Sequence, residues 1–116
     1  MKLSNNIEGV WLILKPIQAD MKLEQSGNIV RGTYHNLEVK GTIEGTLTMD
    51  GEESTLILTG KWADQLGSGD FRVAIGKAIY PDRLSFYGNW KHSNSQSWDG
   101  LFEGESLSNL KKGNVS

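Results

Sequence analysis

Five large aromatic side chains are the residues of this chain best suited to bind another molecule. They are Trp11, Tyr34, Trp62, Trp90 and Trp98. An indole combines a wide apolar surface with one N–H donor, which suits stacking on a ring, a base or a sugar. The alternative is that the rings only fill the protein interior, because an eight-stranded barrel is just wide enough for side chains or for one small ligand. The sequence leaves both interpretations open.

The predicted ligand site combines four of these rings with two serines that follow Trp90 in the sequence. Its members are Tyr34, Trp62, Trp90, Ser95, Ser97 and Trp98. Two loops, residues 64–68 and 92–96, would supply hydroxyl, amide and backbone donors for selectivity, because loops on a rigid scaffold are the usual carriers of binding groups.

Catalytic chemistry has no comparable signal. The two histidines, His35 and His92, lack the His-x-His or His–Glu spacing of a metal site or a general base. Gly67-Ser68-Gly69 is typical of a turn, since a nucleophile elbow needs a strand-to-helix context. Without cysteine there are no disulfides and no thiolate chemistry. We therefore expect a non-enzymatic protein with no catalytic residues, no metal and no cofactor.

The elements that must position the rings are strands that repeat one short pattern: glycine, any residue, then an aromatic or aliphatic residue. It occurs at Gly9-Val10-Trp11, Gly32-Thr33-Tyr34, Gly41-Thr42-Ile43, Gly60-Lys61-Trp62, Gly88-Asn89-Trp90 and Gly100-Leu101-Phe102. Residues two apart share one face of a strand. Glycine lowers β-propensity, but it is tolerated where a strand bends sharply or where a neighbouring ring needs the space. The pattern predicts a tightly coiled, closed barrel.

Eight strand-length segments alternate with short turn signals. They cover residues 7–15, 20–25, 29–35, 39–49, 54–63, 70–78, 84–91 and 97–105. Short connections favour antiparallel neighbours, and closing the sheet removes exposed edges. We predict an all-β fold, an eight-stranded antiparallel up-and-down (meander) barrel. Residues 1–106 would form this single domain and residues 107–116 a polar tail.

Some of these segments resemble a known family. Glu8-Gly9-Val10-Trp11 is similar to the Gly-x-Trp opening of avidin-like barrels and of lipocalins. The segment from Ile29 to Tyr34 resembles the third avidin strand, and the segment from Phe86 to Ser95 resembles the avidin hairpin that supplies a wall tryptophan. The resemblance implies a small up-and-down barrel and the self-association of such barrels.

Residue by residue, the resemblance places part of the predicted site in the biotin pocket of avidins. The matching positions are Tyr34, Trp90, Ser95, Ser97 and Trp98. After the first tryptophan, where avidins carry polar residues that hold biotin, this chain has Leu12, Ile13, Leu14 and Lys15. The resemblance therefore implies the architecture rather than biotin as the ligand.

Composition limits the partners. The chain has 116 residues, 12 of them basic and 14 acidic, for a net charge of −2. This balance lacks the clustered basic surface of a nucleic-acid binder. The chain contains no run of about 18 apolar residues, so the sequence predicts no membrane span. The first residues lack the apolar core of a secretory signal. We expect a cytoplasmic protein that binds neither nucleic acid nor membranes.

Two functions remain open at this point. The first is a barrel that binds a small molecule, a metabolite or a nucleotide-like ligand, in an aromatic-lined mouth, as a carrier, sensor or sequestering protein. The second is a protein–protein interaction module, an inhibitor or an accessory protein that forms homo-oligomers through an outward apolar face. The apolar residues that alternation places outside are Leu12, Leu14, Ile57, Tyr87 and Leu101.

Overall fold

The computed structural model describes residues 6–50, 55–77 and 83–107, and it confirms the predicted all-β barrel. The strands are β1 (Gly9–Lys15), β2 (Ala19–Ser26), β3 (Ile29–His35), β4 (Lys40–Asp50), β5 (Thr55–Asp64), β6 (Gly67–Lys77), β7 (Leu84–His92) and β8 (Gly100–Ser106). Each strand pairs antiparallel with the next, and β1 also pairs with β8, so the eight-stranded sheet is closed. Within the described ranges there is no helix long and apolar enough to cross a membrane.

Alternation along each strand decides which side chains enter the barrel. In β2, Ala19, Met21 and Leu23 are buried while the residues between them are exposed. In β3, Val30 and Tyr34 are buried and Arg31 lies outside, where its Nε is 3.2 Å from Glu44 Oε2. The period of two therefore predicts the inner face of the barrel correctly along these strands.

Glycines face aromatic rings across neighbouring strands. The cross-strand pairs are Tyr34–Gly41, Phe71–Gly60, Trp62–Gly69, Phe102–Gly88, Trp90–Gly100 and Phe86–Gly104. Tyr34 shows the reason, because its ring occupies the place of a side chain at position 41. Rings likewise lie beside Gly100 and Gly104, whereas at Gly60, Gly69 and Gly88 the backbone of a neighbouring strand lies too close for a side chain.

The two ends of the barrel are built differently. We call the end formed by the connections at residues 16–18, 36–39, 65–66 and 93–99 the mouth, and the opposite end the closed end. At the closed end, Ile7 is buried, its N–H donates to Gln25 Oε1, and its carbonyl accepts a 2.9 Å bond from Trp11 Nε1. The Trp11 ring packs on Phe86 with 5.6 Å between centroids.

Two strands begin three residues away from the predicted position, and the other boundaries differ by two residues at most. β6 begins at Gly67 rather than at residue 70, because Gly67, Ser68 and Gly69 already pair with β5. β8 begins at Gly100 rather than at residue 97. The residues before it belong to a loop that Asp99 holds, since its carboxylate accepts bonds from the His92 N–H and from Ser95 Oγ.

The outward apolar set also needs a correction. Ile57 is on the outer face by alternation, but only 9% of it is exposed, so it is not part of an accessible patch. It lies between Thr48 on β4 and Ala74 on β6. Leu12 is half-buried, whereas Leu14, Tyr87 and Leu101 are exposed as expected.

The predicted division into a barrel and a polar tail stays a prediction. The N–H of Leu107 donates a 2.7 Å bond to the carbonyl of Val10, so the chain is still attached to the barrel at this residue. The rest of the predicted tail, residues 108–116, lies outside the described residues.

Candidate functional site

The mouth contains an open cavity of about 330 Å³. This volume is at the lower end of the range typical of small-molecule sites. Its floor includes Ile43 and Phe102, which also contact the core below it, and most of its lining is apolar. The cavity is therefore a space above a packed core, and it does not run through the barrel.

Three aromatic side chains form the wall of this cavity: Tyr34, Trp62 and Trp90. They occupy matching positions near the ends of β3, β5 and β7, the strands that run toward the mouth. The two indoles meet edge to face, with 5.8 Å between centroids and an interplanar angle of 82°. Edge-to-face contact is a favoured geometry for aromatic pairs, so the rings support one another as a wall.

A polar residue follows each wall ring two positions later. Asn36 follows Tyr34, Asp64 follows Trp62 and His92 follows Trp90, and all three line the cavity. Because residues two apart share a face, each strand ends by placing a polar group on the rim above its ring. Glu38, in the connection from β3 to β4, adds a second carboxylate to the rim.

Tyr34 and Asp64 join the wall to the rim. The Tyr34 hydroxyl donates a 2.7 Å bond to Asp64 Oδ2, and Asp64 Oδ1 accepts the N–H of Leu66. Burial raises the pKa of the Tyr34 phenol well above its usual value, and the bond to the Asp64 carboxylate and its negative charge raise it further. The phenol therefore stays protonated at neutral pH and remains a donor to Asp64.

His92 is held by the loop that follows it. Its ring lies 5.5 Å from Trp62 and 5.1 Å from Trp90, centroid to centroid, and its Nδ1 is 3.2 Å from Asp99 Oδ2. Hydrogen bonds from the His92 N–H, first, and from Ser95 Oγ lower the pKa of Asp99. An ionised carboxylate only accepts hydrogen bonds, so the shared proton lies on Nδ1.

Side-chain hydrogen bonds connect the mouth loops to one another. Asn36 Nδ2 donates to the carbonyl of Gln18, which links the connection after β3 to the connection after β1. Gln65 accepts the N–H of Lys40 and donates to the carbonyl of Glu38, which links the connections after β5 and β3. These bonds define the shape of the rim before any ligand arrives, which limits the ordering cost of binding.

The structure brings half of the predicted site residues together. Tyr34, Trp62 and Trp90 line the cavity, whereas Ser95, Ser97 and Trp98 do not. Ser95 instead donates to Asp99 at 2.8 Å, and Trp98 is 45% exposed on the outside of the hairpin loop. The prediction treats residues 97–99 as part of a strand. They lie in a loop, so the alternation of a strand does not apply to them.

Trp11 also lies away from the cavity, although it was one of the candidate rings. It is 1% exposed at the closed end, with its N–H already bonded to Ile7. Here the alternative interpretation of the rings applies: Trp11 fills the interior.

The rim was not part of the predicted site. Asp64 and His92 are the first residues of the two predicted loops, residues 64–68 and 92–96, and Glu38 lies outside both. The available signal was the period of two carried one step past each wall ring, at the end of the strand. The apolar residues Ile13 and Val39, which also line the cavity, had no sequence signal that separates them from ordinary core.

Metal binding has no support in the described geometry. Among residues 6–50, 55–77 and 83–107, no three His, Cys, Asp or Glu side chains are grouped so as to hold a metal ion.

The fold and the site define a class: a closed, eight-stranded antiparallel meander barrel with an apolar cavity open at one end. No family model, no curated protein and no solved structure matches this chain.

Proposed function

We propose that this protein binds a small, largely apolar molecule in the mouth cavity and acts as a carrier, sensor or sequestering protein rather than as an enzyme. The observation that carries the proposal is the open cavity of about 330 Å³ with Tyr34, Trp62 and Trp90 as its wall. Unfilled apolar space costs stability, because its lining loses dispersion contacts and side-chain burial. A cavity kept at one end of an otherwise filled barrel is therefore best explained by an occupant.

Among the two ligand types considered, a metabolite with a ring or alkyl body fits better than a nucleotide. Phosphate recognition relies on lysine, arginine or exposed backbone N–H groups. The cavity lining within the described residues contains no lysine or arginine, and it includes the carboxylates of Glu38 and Asp64. Phosphates would be repelled at this rim.

The experiment is a titration with N-phenyl-1-naphthylamine, a neutral dye whose emission rises in apolar surroundings. We expect saturable binding by the wild type and at least a tenfold weaker affinity for Ile43→Phe, which fills the cavity from its floor. Leu101→Phe adds a similar volume on the exposed outer surface and should bind as the wild type does. Absence of saturable binding, or equal binding by the Ile43→Phe variant, would contradict the proposal. Displacement of the dye by fractions of a metabolite extract would then identify ligands.

A second candidate function, association through an outer face, has one specific observation in its favour. Tyr87 on β7 is 60% exposed and Leu101 on β8 is 47% exposed. Their partners in the sheet are Glu103 and Asn89, so the two apolar side chains are diagonal neighbours on one surface. Sedimentation velocity of the wild type and of Tyr87→Lys tests this face. A dimer or tetramer that the substitution dissociates would support it, and a monomer in both samples would exclude it.

A further inference from the structure

We infer that the mouth selects small organic amines, molecules with a protonated nitrogen on an aromatic or alkyl body, over carboxylates and phosphates of the same size. The inference rests on the proposed function and adds the chemical class of the ligand. It depends on three features of the cavity: the sign of its charges, the donors that are already in use, and the acceptors that are left.

The charges at the mouth are negative. Glu38 and Asp64 line the cavity, and no lysine or arginine does so among the described residues. Lys61, next to Trp62 in the sequence, alternates to the outside, where its Nζ is 2.6 Å from Asp70 Oδ1. Lys91, next to Trp90, also alternates to the outside. Its Nζ is 3.4 Å from the carbonyl of Ser95 and 5.7 Å from the centroid of the Trp98 ring. A cation entering the mouth meets attraction, and an anion meets repulsion.

Three hydrogen-bond donors of the lining are already used by the protein. Tyr34 donates to Asp64, Trp62 Nε1 donates to the carbonyl of Lys91 at 3.2 Å, and Asn36 Nδ2 donates to the carbonyl of Gln18. The Trp90 indole N–H is buried next to Gly100 and has no hydrogen-bond partner among the described residues. Apart from this one N–H, a carboxylate or phosphate placed here would find no free donor among these side chains, which is costly in an apolar site.

Acceptors, in contrast, are left over. Each oxygen of Asp64 accepts one bond within the protein, and a carboxylate has about four acceptor positions. The Glu38 carboxylate has no hydrogen-bond partner in the part of the chain that the structure describes. An ammonium group carries three donors and no acceptor, so its requirements match this rim.

The wall suits the same ligand. The faces of tryptophan and tyrosine attract cations, and the attraction is stronger where water is excluded. A ring or alkyl chain can lie on the apolar floor at Ile43 and Phe102 while its nitrogen stays at the level of Asp64. One molecule can therefore satisfy the apolar cavity and the acidic rim together.

The test compares three ligands that share one body: 4-phenylbutylamine, 4-phenylbutanol and 4-phenylbutyrate. Their affinities are measured by displacement of N-phenyl-1-naphthylamine at pH 7. We expect the amine to bind about tenfold more tightly than the alcohol, since hydrogen bonds to charged groups are roughly twice as strong as neutral ones, and the carboxylate to bind most weakly. The preference for the amine should shrink as salt is raised, because the rim is partly exposed.

Two variants of the mouth separate charge from shape. Asp64→Asn should remove most of the preference for the amine over the alcohol. Tyr34→Phe frees Asp64 Oδ2 from its internal bond and should keep or increase the preference. If Asp64→Asn fails to fold, as judged by circular dichroism, Glu38→Gln on the exposed rim replaces it and should lower the preference in the same direction.

Each outcome decides between the two proposals. Equal binding of amine and alcohol, or tighter binding of the carboxylate, overturns the inference and leaves the small-molecule function standing. A preference for the amine that survives both carboxylate substitutions also overturns it, because the selectivity would then come from elsewhere. If neither the dye nor any of the three compounds binds the wild type, the proposed function itself is wrong and the inference fails with it.

Discussion

The closed end and the mouth of the barrel contain similar residues but differ in how completely those residues fill the interior. Both contain tryptophan on strands with glycine nearby, and both face an apolar interior. At the closed end, the space that the described residues leave among Trp11, Phe86 and their neighbours is about 10 Å³, too small for a ligand. At the mouth, about 330 Å³ remains open beside Trp62 and Trp90.

The difference lies in what covers each end, and not in the strands. Ile7 passes under the closed end, where it is tied to Gln25 and Trp11. At the mouth, the connections bond to one another around the rim, through Asn36 and Gln65, and leave the centre uncovered. Whether the aromatic side chains inside one end of the barrel form a packed core or line a cavity depends on whether a segment of the chain crosses that end.

The largest contrast between the two ends is expected from removing one tryptophan at each. Trp11→Ala deletes a fully buried ring and should lower the free energy of unfolding by about 3–5 kcal/mol. Trp62→Ala removes a half-buried ring that already borders open space, so its cost should be nearer the average for substitutions, about 1 kcal/mol. Urea denaturation at 25 °C measures both. Similar losses at the two positions would mean that the mouth is packed as tightly as the closed end.

A second contrast compares two glycines on β6, one near each end. A side chain at Gly69 would collide with the Lys91 carbonyl, whereas one at Gly76 would have no heavy atom within 4 Å. Gly69→Ala should therefore destabilise the barrel by about 1–3 kcal/mol, the usual cost of overpacking. Gly76→Ala should stabilise it by up to about 1 kcal/mol, because alanine restricts the unfolded chain. Thermal melts of the two variants would refute the steric explanation if both shifts had the same sign.

The Tyr34–Asp64 bond at the mouth should make stability depend on pH, whereas the Trp11–Ile7 bond at the closed end should not. Tyr34→Phe removes the bond to Asp64 and should cost about 1 kcal/mol at pH 7. The pKa of Tyr34 is raised in the folded state, so the contribution of the phenol is complete below the unfolded pKa of about 10. Above that pH the unfolded chain releases the proton and the folded chain retains it, so stability falls as pH rises.

The measurement is urea denaturation of the wild type and of Tyr34→Phe between pH 8 and 11.5. The wild type should lose its advantage over the variant as the pH passes about 10. Trp11→Phe is the control, since the bond from Trp11 to the Ile7 carbonyl involves no titrating group. A constant difference between wild type and Tyr34→Phe across this range would show that the phenol titrates normally.

The sequence predicted the barrel because its signals are local and periodic. The alternation of Met21 and Leu23 with charged residues, and the glycine two residues before a large ring, follow from strand geometry. The position of Tyr34, Trp62 and Trp90 in one wall follows from the same geometry, because their strands all run toward the mouth.

The rest of the site depends on contacts that have no such period. Whether Trp11 meets a cavity depends on where Ile7 passes, which is a matter of tertiary structure. The exclusion of Ser95 and Trp98 from the cavity depends on a loop organised by one side chain, Asp99. Ser95 was predicted as a loop hydroxyl group and Trp98 as a strand residue, and neither prediction includes the hydrogen bonds by which Asp99 shapes the loop.

The smallest effect is expected from a substitution in the loop at residues 93–99, at the carboxylate of Asp99. Asp99 is on the surface, and hydrogen bonds from the His92 N–H, first, and from Ser95 hold its pKa below the usual value. A lowered folded pKa stabilises the protein above the unfolded pKa of about 4, and the contribution is lost as the pH falls below it. Asp99→Asn should therefore produce a slight decrease in melting temperature at pH 7 that disappears toward pH 2.

Because Asp99 also orients His92, the variant should weaken amine binding at the mouth more than it changes stability. Ser95→Ala, which removes one donor and leaves His92 bonded, should reduce both effects, and equal binding by all three proteins would show that the loop has no part in the mouth.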